Sequence, residues 1–220
     1  MNNFVKGTAL AALLVAGATA AGAATVAFDL TTAGNTYGWT QSFVSGGVTM
    51  GVSGYNYTPT AVVGSNVVLT QQIGVAGGTN GLGACSKAKS ASDTNCGSGN
   101  LIDAQIAPEL LKFTFSENVK ILSVEWNNND ANDHFDLFTG TPLAFVSSGF
   151  TAGPPGRINT FAPALGPLSM FAVGNQTRSD QYRIANIVIE TAAVPLPAAG
   201  FLLAGAIGGL GALRRKRKAA

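Results

Sequence analysis

Leu111-Lys112-Phe113-Thr114-Phe115 and, after the polar Ser116-Glu117-Asn118, Val119-Lys120-Ile121-Leu122-Ser123-Val124-Glu125-Trp126 carry the pattern from which the fold class is read. In an extended chain successive side chains point to opposite faces. The alternation of Leu111, Phe113 and Phe115 with Lys112 and Thr114 therefore predicts a strand with one apolar face. The second stretch alternates nearly as well, and the doublet Ile121-Leu122 predicts a bulge where the phase slips. A helix would need apolar residues at three- and four-residue spacing, and that periodicity is almost absent from the chain.

Working outward, residues 25–30, 38–44, 48–52, 67–75, 134–138, 143–147, 168–173 and 182–190 show similar short apolar or alternating runs between Gly, Pro and Asn turns. With only 11% charged residues, 28 glycines and abundant Thr, Ser, Asn and Val, the composition belongs to strands and polar turns. The expected fold is all-β, an antiparallel β-sandwich of jelly-roll type, because two packed sheets bury each other's apolar faces. Closure into a barrel is the alternative that alternation leaves open. The stretch 77–100, rich in Gly, Ser, Lys and Asn, is expected to be a long loop. Its two cysteines, Cys85 and Cys96, are expected to form a local disulfide worth very roughly 2 to 3 kcal/mol. Metal-ligand or redox thiols are the rival reading, but the spacing is not C-x-x-C and no His lies nearby.

The two ends read as processing segments. Residues 1–23 carry Lys6, the apolar run from Ala9 to Ala16, and then Ala21-Gly22-Ala23, the three-part layout of a cleavable signal peptide. At the other end, in residues 194–220, Val194-Pro195-Leu196-Pro197-Ala198 leads into the apolar stretch 198–213, closed by Arg214-Arg215-Lys216-Arg217-Lys218. That stretch, at ~1.5 Å per residue, makes roughly 24 Å, a marginal single membrane helix whose basic stop stays cytoplasmic. The two prolines break regular structure before it and present extended backbone, the form that proteases bind. Residues 24–193 are then one exported body, long enough to bury a two-layer core.

Val194-Pro195-Leu196-Pro197-Ala198, a short Gly/Ala/Leu stretch and a basic terminus together resemble the VPLPA variant of the PEP-CTERM sorting signal. The resemblance covers the last 27 residues or so. It implies transient partners, signal peptidase and an exosortase-type membrane protease. It also implies passage from the inner membrane of a Gram-negative bacterium to the cell surface or extracellular matrix. The order of Gly81-Leu82-Gly83, Glu109 to Phe115, Val119 to Trp126 and Asp133 to Gly140 is similar to that in β-sandwich bodies of exported proteins with this kind of tail. This chain differs by inserting the cysteine loop.

Charge narrows the partners. Lys6 and the five basic residues of the tail hold six of the thirteen, leaving the body seven basic against eleven acidic residues, a net of −4. A mildly acidic body with no Lys/Arg stripe lacks the footprint of phosphate-backbone binding, so nucleic acid is not expected as a partner. The densest polar cluster runs from Asn127 to Asp136. Asp130, Asp133 and Asp136, with Glu109 as a further oxygen donor, are the candidate calcium ligands, since calcium takes six to eight oxygens. The D-x-D-x-D-G loop is absent, and an ordinary Asn/Asp turn is the alternative. His134, the single histidine, cannot make a multi-His zinc site alone. Glu109, Glu125 and Asp136 are the carboxylates that a glycoside hydrolase would have to bring together. Gly77 to Gly83 lacks a following Lys-Ser or Lys-Thr and reads as a flexible loop rather than a phosphate cradle. Tyr37, Trp39, Tyr55 and Tyr57 could stack on sugars if exposed, or serve the core.

The expected function is that of an exported surface or matrix structural protein, not an enzyme. A lectin-like module for exopolysaccharide, calcium-assisted or not, and an envelope glycan hydrolase are the alternatives.

Overall fold

The structure, a computed structural model, describes residues 22–34, 36–85, 101, 102, 104, 107–127, 132–151, 156–177 and 179–193. Ala24–Ala192 form one compact unit. Its strands are β1 (Thr25–Asp29), β2 (Tyr37–Gly38), β3 (Thr40–Ser45), β4 (Val48–Thr58), β5 (Val68–Gly78), β6 (Gly81–Cys85), β7 (Glu109–Asn127), β8 (His134–Thr139), β9 (Ala144–Thr151), β10 (Ile158–Asn175) and β11 (Arg183–Thr191).

Every pairing between them is antiparallel, and β4, β5, β6, β11 and β7 pair in a ring that returns to β4. The architecture is thus a closed five-stranded barrel with six outer strands: β1 on β11, β2 on β5, β3 on β4, β10 along β7, β8 on β10 and β9 on β8. This corrects the expected jelly-roll sandwich. Alternation reports that a strand has one buried face. It does not report whether the edges of the sheet meet, and here they do.

Closure depends on β7. The two strands expected over 111–115 and 119–126 are one strand of 19 residues. Its first half, Glu109 to Phe115, pairs with β4, its second half pairs with β11, and β10 runs beside both. Between the halves Ser116, Glu117 and Asn118 are all exposed. Ser123 pairs with Val188 and Ile121 with Ile189, so Leu122 is the extra residue of a bulge that also shifts the buried set from Val119 and Ile121 to Val124 and Trp126.

β6 was not expected at all. Gly81 to Cys85 fall within the stretch read as a loop, yet all five are buried and complete the ring between β5 and β11. Glycine has low strand propensity, which hides such a segment from propensity reading. The reason for glycine is close approach. Gly81 has φ +106, and a Cβ there would run into the backbone of Ile184; one at Gly74 would enter the Tyr37 ring. Cys85 ends β6 and is not a free thiol, but no bond between the expected partners is described, because Cys96 lies outside the described residues.

The expected C-terminal membrane helix is corrected too. Apart from a short 3-10 turn at Thr31–Ala33, the described elements are strands, and no helix among the described residues is long and apolar enough to cross a membrane. The stretch 198–213 expected to form one lies outside the described residues, as do the motif 194–198, the basic stop 214–218 and residues 1–21 of the signal peptide.

Two apolar clusters follow from the two faces of the sheet. The first fills the barrel with Met50, Val52, Leu111, Phe113, Phe115, Val124, Trp126, Ile184 and Ile187 among others. The second packs Tyr57, Leu110, Phe138, Leu143, Phe145 and Ala172 on the opposite face. The isolated bridge between Asn66 and Ala144 covers it, pinning β9 to the chain just before β5. Each fully buried Phe or Leu contributes roughly 1.5–3 kcal/mol, so both faces of β7 and β10 stabilise the body.

Candidate functional site

The polar residues of interest gather where β4 ends, β7, β8 and β11 begin, and β10 ends. Asn56 of β4 and Asn175 of β10 both sit in register with Glu109 of β7, and Gly174 sits opposite Asp136 of β8. Glu109, Asp133, Asp136 and Asp180 are all buried, as are Asn56, Asn175 and Arg183. Buried carboxylates persist where hydrogen-bond donors meet them.

Asp136 has the fullest description. Tyr57 Oη donates to its Oδ2 at 2.9 Å, and Gln176 Nε2 donates to its Oδ1 at 3.1 Å. Burial raises its pKa above the ordinary carboxylate value; the Tyr57 and Gln176 hydrogen bonds pull it down, and the Asp180 charge pushes it further up. Tyr57 is itself pushed far above the ordinary phenol value, by burial first and then by Asp136. Burial also raises Tyr182 well above its ordinary value, and its hydroxyl donates to Gly174 O at 2.6 Å. Both phenols therefore act as hydrogen-bond donors, never as phenolates.

The neighbouring loop is tied in the same way. Asn175 Nδ2 donates to Asp180 O, its Oδ1 accepts from Thr177 N at 2.7 Å, and Asp133 Oδ1 accepts from Gln181 N at 3.3 Å. His134 Nδ1 lies 4.0 Å from Asp180 Oδ2, with the imidazole about half exposed. Trp126 Nε1 donates to Asn159 Oδ1 at 3.0 Å, and its ring packs on Phe135 at 4.3 Å and edge-on to Tyr182 at 5.1 Å.

Of the candidate calcium ligands, Asp133, Asp136 and Glu109 come to this end of the body, and Asp130 lies outside the described residues. Glu109 and Asp136 do not share a face. Glu109 continues the Leu111, Phe113, Phe115 alternation of the barrel core. Asp136 falls between Phe135 and Leu137 of that core and meets Tyr57 of the second cluster. Among the described residues no group of three or more His, Cys, Asp or Glu side chains is placed to hold a metal ion. The hydrolase candidates fare likewise. Glu109 and Asp136 face opposite ways, and Glu125 pairs with Ile158 and Asn186 in the other half of β7.

The aromatic residues divide. Tyr57 is buried, Tyr37 and Trp39 are partly buried, and Tyr55 lies under the Lys112 ammonium, 4.8 Å from its ring centre. Sequence reasoning missed Asn175, Gln176, Asp180 and Arg183. The available signal was a second polar interval, Asn175 to Gln181, between two apolar runs, of the same kind as Asn127 to Asp136. Comparison of the chain with protein-family models, curated proteins and solved structures finds no match.

Proposed function

We propose that this chain is an exported structural protein of the cell surface or extracellular matrix of a Gram-negative bacterium, matured by signal peptidase and an exosortase-type protease that trim its two ends. One observation supports this reading above others. The first and last strands of the body are each other's neighbours: β1 pairs with β11 from Thr25 opposite Glu190 to Asp29 opposite Asn186, and Thr191 N donates to Ala24 O at 2.9 Å. The body's two ends therefore emerge side by side. Cuts near Ala23 and before Val194 would spare every strand of the compact unit Ala24–Ala192. A barrel with a solid apolar interior and a tied polar end suits a building unit whose shape must survive outside the cell.

Intact-mass analysis of the native protein, from its own cells and from a strain lacking the exosortase-type protease, tests this. The expected mature mass lacks both ends, with C-terminal trimming only where the protease is present. An untrimmed C-terminus in both strains would refute the sorting reading.

A further inference from the structure

We propose that Arg183, beneath the glycine hairpin joining β5 to β6, is a binding site for a carboxylate-bearing ligand, gripped through the Nε–Nη2 edge of its guanidinium. Arg183 opens β11 opposite Asn127 of β7 and directly precedes Ile184, which pairs with Leu82 of β6. It is only 7% exposed. Among the described residues its guanidinium makes one hydrogen bond, from Nη1 to Gly81 O at 3.3 Å, and Nε is buried without a partner. No carboxylate among the described residues forms an ion pair with it, although this end of the body holds Glu109, Asp133, Asp136 and Asp180. Burial lowers its pKa from the ordinary guanidinium value.

An unpaired buried cation is costly, and proteins that keep one ordinarily supply an anion. The geometry says which kind. Nη1 is engaged by Gly81, leaving the edge on which Nε–H and one Nη2–H run parallel, the spacing that takes both oxygens of a carboxylate. The hairpin is shaped around the guanidinium: a Cβ at Gly78 would stand 3.0 Å from Nη1, and Gly81 has no room for one. A single buried guanidinium carries one positive charge, which a monoanionic carboxylate balances and a dianionic phosphate exceeds. A small free acid or a uronate unit of an acidic polymer carries this group. The site does not depend on how the chain's ends are processed.

Calorimetric titration of the purified full chain with galacturonate, its methyl ester, an oligogalacturonate and inorganic phosphate tests the site. The expected result is saturable binding of the acid, with roughly tenfold or greater weakening for the ester. A comparable loss is expected in Arg183→Lys, which keeps the charge but not the fork, and in Gly78→Ala, which crowds Nη1. The ester comparison uses the unaltered protein, so it stands even if a variant misfolds. Acid and ester binding alike, phosphate binding tighter than galacturonate, or no saturable binding of any acid would overturn the proposal. Given binding, equal affinity for monomer and oligomer assigns the site to a free acid, and tighter binding of the oligomer assigns it to a polymer.

Discussion

Tyr57 and Asp136, 79 residues apart, meet in a buried hydrogen bond of 2.9 Å that ties the end of β4 to the start of β8 across β7 and β10. Tyr57→Phe removes the donor and leaves a buried carboxylate with less compensation. The expected loss is about 1–3 kcal/mol near neutral pH, read by urea unfolding. A change within error would mean that water already serves this carboxylate.

The same carboxylate sets a pH dependence. Its folded pKa lies above the ordinary 3.8, so between those values the folded state binds more protons than the unfolded one. Its contribution to stability is therefore fullest below the unfolded value and declines as pH rises towards the folded value. Asp136→Asn removes this titration. Its stability relative to the parent should rise with pH across that window, as measured by unfolding curves from pH 3.5 to 8; a constant difference would contradict the assignment.

Barrel closure makes a prediction about glycine. Gly81→Ala combines a φ of +106 with a collision against the Ile184 backbone, so a loss of about 3 kcal/mol or more is expected. Gly64→Ala, with φ +82 but nothing within 4 Å, should cost only about 1 kcal/mol. Thermal unfolding of the two variants side by side checks the contrast, and equal losses would show that strain, not closure, governs both.

Trp126→Ala should cost about 3–5 kcal/mol, since it removes a fully buried ring packed on Phe135 and Tyr182. Lys120→Ala breaks an ion pair to Glu190 of 2.6 Å whose partners are 47% and 30% exposed, and less than about 1 kcal/mol is expected. Chemical denaturation would rank them, and a reversed order would mean that the surface pair, not the core, holds β7.

Replacing Pro195 and Pro197 with Ala should leave the tail uncut, because the extended presentation to the protease is lost. Processing identical to the parent, by intact mass, would count against the sorting proposal.

Much of the strand content was legible in the chain, since Leu111, Phe113 and Phe115 announce their pairing face by alternation alone. The bulge after Ile121 was legible for the same reason: two successive apolar side chains cannot both occupy one face of a regular strand. The first half of β10 was not, because every residue from Ile158 to Leu165 is exposed or only partly buried where it runs beside β7, and burial there places few demands on residue type. The acidic residues near β8 were visible as a cluster. Their division between two faces, and their meeting with Tyr57, Asn175 and Asp180, were not, because those partners come from distant segments.

By itself, then, the sequence determined what depends on neighbours along the chain: the all-β class and the apolar face of an alternating strand such as the first half of β7. Tertiary structure alone decided what depends on groups far apart in the chain. The residues of β6 close the ring only because Gly81 lets the Ile184 backbone approach, and among the described residues no buried carboxylate folds against Arg183 to form an ion pair. Periodicity records the environment on either side of a strand; it carries no record of which distant edge or charge arrives there.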